Sequence, residues 1–153
     1  MGAYHATVSW TLEGESFLDQ RYSRGHEGSF DGGAVVPASA SPHIVPLPHS
    51  VAENVDPEEA YVASLSSCHM LFFLSLAAEA GIVVEDYRDE AVGYLEKTGD
   101  GYAMTRVVLR PAATYGGDRQ PTAEEVAELH HRAHEQCFIA NSVRSVITTD
   151  IRS

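Results

Sequence analysis

The feature that most constrains the fold is a long apolar segment that begins at Asp56 and ends at Gly81. Asp56 is a good N-cap residue, and Pro57 fits the first helical position. Glu58 and Glu59 follow, where negative charge stabilises the start of a helix, and Asp56 and Glu59 have the spacing of a capping box. Gly81 is the residue type that commonly ends a helix. These signals predict one helix about 36 Å long.

This predicted helix is apolar on nearly every side, which indicates burial all round rather than one face on a surface. A chain of 153 residues can hardly wrap such a helix completely, so we expect a partner subunit to help cover it. Its longest apolar run, around Met70 to Ala80, is interrupted by Ser75 and Glu79 and is too short and polar to span a bilayer. We therefore expect no membrane partner.

The rest of the chain alternates between strand-like and turn-like patterns and adds a second helix. The predicted elements are strands at 4–12, 16–23, 83–97, 102–115 and 143–151, and a helix from Thr122 to Cys137 in which Glu125 completes a capping box. A proline-rich segment at 34–50 is predicted to be an extended strap, because its prolines exclude a helix or a central strand. Together they predict a single α+β domain over residues 1–153.

Composition excludes some classes of function. The formal charge is −12, from 10 Lys and Arg against 22 Asp and Glu, and such a surface repels nucleic acid and anionic lipid. The N-terminus lacks the basic region and apolar run of a signal peptide. We therefore expect a cytoplasmic protein with no nucleic-acid partner and with thiols that start reduced.

The two cysteines are Cys68, in the middle of the predicted long helix, and Cys137. In a reducing compartment such a pair suggests reactive thiols more than a structural disulfide, although two inert buried thiols are the alternative. Apolar burial alone would raise the pKa of Cys68 and make it inert. A reactive Cys68 therefore needs a nearby cation. His69 points about 100° away on a helix, so the cation should come from elsewhere.

Two motifs around these cysteines resemble those of the OsmC/Ohr family of thiol peroxidases. One is Val55-Asp56-Pro57-Glu58-Glu59-Ala60 followed by Ala63-Ser64-Leu65-Ser66-Ser67-Cys68-His69, and the other is His134-Glu135-Gln136-Cys137 before the last strand. The order of predicted strands also matches, so the resemblance covers nearly the whole chain. It implies antiparallel sheets around a long buried central helix, in an intertwined homodimer with two active sites at the subunit interface.

The resemblance also implies roles for individual residues. Cys68 matches the cysteine that attacks the peroxide, and Cys137 matches the resolving cysteine that forms a disulfide with it. Arg24 matches the arginine that stabilises the thiolate, with Arg21 as the alternative, and Glu58 matches the glutamate that holds this arginine. An organic hydroperoxide and an external thiol reductant are the implied partners, and no cofactor is implied.

Side chains near Cys68 suggest how a substrate would be held. Apolar neighbours favour organic hydroperoxides over hydrogen peroxide, and the candidate substrate-binding residues are Tyr61, Leu71 and Phe72. Glu58 lies about 15 Å from Cys68 along a straight helix and cannot touch it. Either the long Arg24 side chain bridges part of this gap, or the partner subunit supplies a member of the site.

Two other hypotheses remain. His130, His134 and Cys137 share one helix face and could bind a transition metal, but no fourth ligand is obvious, and we prefer a packed or solvated histidine face. A different class of function is a non-catalytic dimeric module that binds a hydrophobic small molecule. Such a module would keep the fold and would not depend on Cys68.

Overall fold

The computed structural model describes all residues, 1–153, and the chain forms two compact units, Met1–Ala60 and Tyr61–Ser153. The first helix, α1 (Pro57–Glu79), begins at the end of the first unit and continues through the second. The predicted α+β class, with antiparallel sheets and a long helix, is confirmed. The single domain over 1–153 stays a prediction.

The first unit contains one antiparallel sheet in the order β1 (Ala6–Ser9), β2 (His26–Phe30) and β3 (Val35–Ala38). The strand predicted at 4–12 is present in shortened form, but the hairpin partner predicted at 16–23 is wrong, because β1 pairs with β2. The rings of Trp10, Phe17 and Tyr22 pack together, with Phe17 and Tyr22 stacked at 4.6 Å.

The proline-rich segment after β2 contains neither a helix nor a central strand, as predicted. Pro37 lies in β3, which is at one end of the strand order, where a residue without an N–H is tolerated. Beyond β3 the chain follows turns held by buried serines. The backbone N–H of Val51 donates to Ser39 Oγ at 2.9 Å, and Ser50 Oγ donates to the carbonyl of Val45 at 2.7 Å.

Both predicted ends of α1 are confirmed. The N–H of Glu59 donates to Asp56 Oδ1 at 2.8 Å, and the N–H of Asp56 donates to Glu59 Oε1 at 3.1 Å, which is a complete capping box. At the other end Gly81 has a φ of 74°, and the N–H of Ile82 donates to the carbonyl of Ala77 at 2.9 Å. This is a Schellman arrangement, which favours glycine at the left-handed position.

A single chain buries α1 only in part, as expected for a chain of this size, and burial on every side stays a prediction for the assembly with a partner. Its buried residues lie on one face, and Leu71 on another face is 59% exposed. One chain of this size covers only part of a helix this long. By length and composition α1 could also cross a membrane, whereas its shorter apolar run led us to expect that it could not. Core helices of soluble proteins pass the same test of length and composition.

The second unit has two further sheets. β4 (Val83–Asp89) pairs with β7 (Pro111–Gly116), and β5 (Val92–Thr98) pairs with β6 (Gly101–Leu109), which also pairs in parallel with β8 (Val146–Thr149). Each of the two predicted strands thus divides into two. The N–H of Arg110 donates to the Asp89 carboxylate at 2.6 Å instead of to a neighbouring strand, and Pro111 has no N–H to donate.

The second helix, α2 (Ala123–Gln136), begins with the predicted capping box of Thr122 and Glu125 and ends at Cys137. A 3₁₀ turn at Ala140–Ser142 follows. α1 and α2 share a buried apolar cluster: Phe73, Leu76, Ala77, Ile82, Leu129 and Ala133. This cluster holds the helix that carries Cys68 against the helix that ends at Cys137.

Candidate active site

The two cysteines come together within the second unit. Cys68 is half-buried in α1, whereas Cys137, at the C-terminal cap of α2, is 0% exposed. Both are free thiols, and the Cys68 side chain lies close enough to Cys137 to contribute to the pKa of its thiol. The structure therefore forms a thiol pair from residues that are far apart in sequence.

The surroundings of Cys137 keep its thiol protonated. Burial, followed by the effect of the neighbouring Cys68 side chain, raises the pKa of Cys137 to about 11. The backbone N–H of Ala140, which donates to Cys137 Sγ at 3.4 Å, opposes this shift but does not cancel it. At neutral pH Cys137 is therefore a proton-bearing partner for Cys68, and Cys68 is the less buried residue of the two.

Large apolar side chains follow each cysteine closely in sequence. Phe72, one turn after Cys68, packs edge-on against Phe138 with ring centroids 5.0 Å apart. Phe138 directly follows Cys137 and is 69% exposed, and Leu71 is exposed as well. Sequence reasoning named Phe72 and Leu71 but missed Phe138. The available signal was a large apolar residue immediately after the cysteine that ends α2.

The third predicted substrate-binding residue, Tyr61, has its hydroxyl engaged elsewhere. This hydroxyl shares a hydrogen bond of 2.6 Å with Ser145 Oγ, which in turn donates to the carbonyl of Met104. The ring packs against the buried cluster that contains Leu65. Tyr61 thus links α1 to Ser145, just before β8, and through Ser145 to Met104 within β6. Substrate binding by Tyr61 stays a prediction.

Arg24 lies in the first unit, where its own loop holds the guanidinium. Nη1 donates to the carbonyls of Tyr22 and Gln20 at 2.5 and 2.9 Å, and Nη2 donates to Gln20 Oε1 at 3.1 Å. The guanidinium also lies 3.6 Å from the centroid of the Tyr22 ring, in a cation–π contact. These contacts fix the orientation of Arg24.

The other two charged candidates are also in the first unit. Glu58, half-buried in the first turn of α1, forms no ion pair with Arg24, so the bidentate pair implied by the resemblance is absent from the single chain. The guanidinium of Arg24 is instead satisfied by acceptors of its own loop. Arg21, the alternative cation, forms an exposed ion pair with Asp19 at 3.5 Å.

A pair of buried histidines joins α1 to α2. His69 Nε2 and His130 Nδ1 are 2.9 Å apart, the two rings are nearly coplanar, and the residues are 1% and 3% exposed. Desolvation, and then the influence of nearby histidines, lowers the pKa of each ring to about 4, so both are neutral at pH 7. Sequence reasoning did not pair them, although His69 shares the buried spacing of Leu65 and Phe73.

The metal hypothesis for the face of α2 gains no support from the positions of its side chains. No group of three or more His, Cys, Asp or Glu side chains in the chain is arranged to hold a metal ion. His130 Nδ1 faces His69, and Cys137 faces Cys68, so these side chains do not converge on one point.

Comparison with known proteins agrees with this geometry. A model of the OsmC-like protein family matches residues 50–152. The structure of an OsmC-like protein of unknown function from Vibrio cholerae is 52% identical, with a TM-score of 0.96 over 99% of this chain and 100% of that one. The chain therefore belongs to the OsmC-like family. The helix α1 is consistent with a core helix in this family of soluble proteins.

Two more distant matches, one to a solved structure and one to a sequence, also cover most of the chain. An organic hydroperoxide resistance protein from Elizabethkingia anophelis is 18% identical, with a TM-score of 0.72 over 99% of this chain and 94% of that one. An uncharacterized Bacillus subtilis protein, YmaD, is 18% identical over 134 residues, which is 86% of each chain. At 18% identity the structural likeness to the Elizabethkingia anophelis protein shows the fold alone.

Proposed function

We propose that this protein is a thiol-dependent peroxidase that reduces organic hydroperoxides to alcohols, with hydrogen peroxide as a poorer substrate. The observation that carries the proposal is the contact between a half-buried Cys68 and a fully buried Cys137. Membership of the OsmC-like family supports it, as does the fold shared with an organic hydroperoxide resistance protein.

The proposed cycle has three balanced steps. The Cys68 thiolate attacks the peroxide oxygen, the O–O bond breaks, and with one proton the products are Cys68 sulfenic acid and an alcohol. The Cys137 thiol then condenses with the sulfenic acid to give a Cys68–Cys137 disulfide and water. Two equivalents of an external thiol, or one dithiol, reduce this disulfide and are oxidised in its place.

Arg24 is the proposed cation of the site. It would stabilise the Cys68 thiolate and the negative charge that develops on the departing alkoxide, and Glu58 would orient it. In the single chain Arg24 is held by Gln20 and Tyr22, so the proposal requires this loop to present the guanidinium to a Cys68 thiolate. Arg21 remains the alternative cation.

A second copy of the chain is the proposed partner, in a cytoplasmic homodimer built from one OsmC-like domain per chain. Large apolar side chains are exposed in both units, among them Val8 in β1 and Leu71 in α1. Exposed apolar surface of this kind is typical of interaction sites. Gel filtration with light scattering would test the assembly, and a monomer at micromolar concentration would contradict it.

The alternative function is a binding module for a hydrophobic small molecule, and one observation favours it. An open cavity of about 440 Å³ in the second unit is lined only by glycine and apolar residues: Leu74, Ala78, Gly81, Ile82, Val83 and Val84. No side-chain polar group in this lining could take part in a reaction. Binding there would not require either cysteine.

The test is treatment of the reduced protein with one equivalent of tert-butyl hydroperoxide, followed by non-reducing mass spectrometry. The peroxidase proposal expects a loss of two hydrogens per chain and a peptide that contains the Cys68–Cys137 disulfide. Cys137→Ser should stop at a Cys68 sulfenic acid, which dimedone traps, and Cys68→Ser should consume no peroxide. An unmodified wild-type protein would exclude the peroxidase and leave the binding module.

A further inference from the structure

The buried histidine pair connects the same two helices that carry the thiols. His69 directly follows Cys68 in α1, and His130 precedes Cys137 by two turns of α2. Their rings share the 2.9 Å hydrogen bond, and His130 also stacks on Phe73 with ring centroids 4.1 Å apart. A buried polar contact therefore lies at the point where α1 and α2 cross.

The two contacts attach α2 to α1 at separate points. His130 and Cys137 are about 10 Å apart along α2, whereas their partners His69 and Cys68 are neighbours in α1. α2 must therefore cross α1 steeply rather than run alongside it. One contact alone would let α2 pivot, but two contacts this far apart restrict the rotation that would separate Cys137 from Cys68.

The histidine contact is well suited to this task. Both rings are almost completely buried, and His69 Nε2 and His130 Nδ1 have each other as partner. Separating the rings would leave two buried nitrogens without a hydrogen bond, which is costly away from water. An apolar contact between the two helices resists sliding of α2 along α1 less, because the hydrophobic effect is not directional.

We infer that His69 and His130 are positioning residues that hold Cys137 against Cys68 and thereby favour disulfide formation over further oxidation. This inference rests on the proposed peroxidase function. Neither histidine contacts the peroxide in this scheme. Both act through the relative orientation of the two helices.

Two reactions compete for the Cys68 sulfenic acid. In one, the Cys137 thiol displaces water from it and forms the disulfide. In the other, a second hydroperoxide transfers an oxygen atom to the sulfenate, which gives Cys68 sulfinic acid and a second alcohol. Only the first depends on where Cys137 lies, so a misplaced α2 should shift the products toward sulfinic acid.

The test compares substitutions at His130 that keep or remove its hydrogen bond. His130→Phe keeps a ring to stack on Phe73 but has no nitrogen, whereas the amide of His130→Asn lies near the position of the original Nδ1. The double variant His69→Leu/His130→Phe removes the bond and leaves no unpaired partner, in case the single variant does not fold. His131→Asn is the control, because His131 is adjacent but exposed and paired with Glu135.

Each variant is mixed with tert-butyl hydroperoxide, and three quantities are measured: the rate of Cys68 oxidation, the rate of the following disulfide step, and the fraction of sulfinic acid with excess peroxide. We expect His130→Phe and the double variant to oxidise Cys68 at the wild-type rate but to form the disulfide about tenfold more slowly, the factor that one lost hydrogen bond can produce. Their sulfinic acid fraction should rise, and His130→Asn should behave like the wild type.

A wild-type disulfide rate in folded His130→Phe or in the double variant would overturn the inference. Equal slowing in His130→Phe and His130→Asn would also overturn it, because packing rather than the hydrogen bond would then be responsible. Failure of the underlying peroxidase proposal looks different: the wild type and His131→Asn would not be oxidised at Cys68 at all.

Discussion

Lowering the pH from about 7 to about 5 should weaken this fold through His69 and His130. In the folded chain the pKa of each ring is about 4, against 6.5 in an unfolded chain, chiefly because burial disfavours the charged form. The unfolded state therefore binds more protons than the folded state in this range. The contribution to stability is fully present above about pH 6.5 and is lost as the pH falls towards 4.

The size of the effect follows from these two values. Between about pH 7 and pH 5 a histidine in the unfolded chain becomes almost fully protonated, whereas one in the folded chain with a pKa near 4 stays mostly neutral. This difference lowers the free energy of unfolding by about 2 kcal/mol per ring. Two rings give an upper bound of about 4 kcal/mol, a large part of the 5–15 kcal/mol that stabilises a typical domain. The Asp89 carboxylate opposes the shift of His69, and His134 reinforces it.

Urea unfolding at a series of pH values measures this directly. The free energy of unfolding of the wild type should fall steeply between about pH 6.5 and pH 4.5, whereas the double variant His69→Leu/His130→Phe should have a much flatter profile. His131→Asn, which changes an exposed ring, should follow the wild type. The same slope in the wild type and the double variant would refute this account of the buried pair.

Three further substitutions test other parts of the structure. Phe73→Ala should lower the free energy of unfolding by about 3–5 kcal/mol in urea titrations, because it empties the fully buried centre of the cluster between α1 and α2; a loss below 1 kcal/mol would contradict this packing. Gly81→Ala should cost about 1–2 kcal/mol in the same assay, because residue 81 has a positive φ, and an unchanged stability would argue against the left-handed cap. Arg24→Ala should slow Cys68 oxidation about a hundredfold in stopped-flow measurements while the fold is retained, and an unchanged rate would point to Arg21.

The elements that the sequence predicted well are those controlled by neighbouring residues. The capping box of Asp56 and Glu59, the left-handed Gly81 and the capping box of Thr122 all depend on contacts within a few residues. The pairing of β1 was predicted wrongly, because the distant β2 competes with the nearer segment 16–23. Alternation of side chains indicates a strand but does not identify its partner.

The candidate site was predictable to a similar extent. Two cysteines with suitable flanking motifs indicated a thiol pair, and the structure brings them together. The contact between His69 and His130 could not be predicted, because it depends on how steeply α2 crosses α1. The local contacts of Arg24 could not be predicted either, because its guanidinium donates to backbone carbonyls, which every residue has.

The complete burial of Cys137 has a consequence for regeneration of the proposed enzyme. If that sulfur stays covered in the disulfide, an incoming reductant can reach only the sulfur of Cys68. The mixed disulfide would then form on Cys68, and Cys137 would have to leave as a thiolate. Its pKa of about 11 makes it a poor leaving group, so reduction should favour a partner that can deliver a proton to Cys137 as the bond breaks. The buried sulfur of Cys137 would then determine which reductants can regenerate the enzyme.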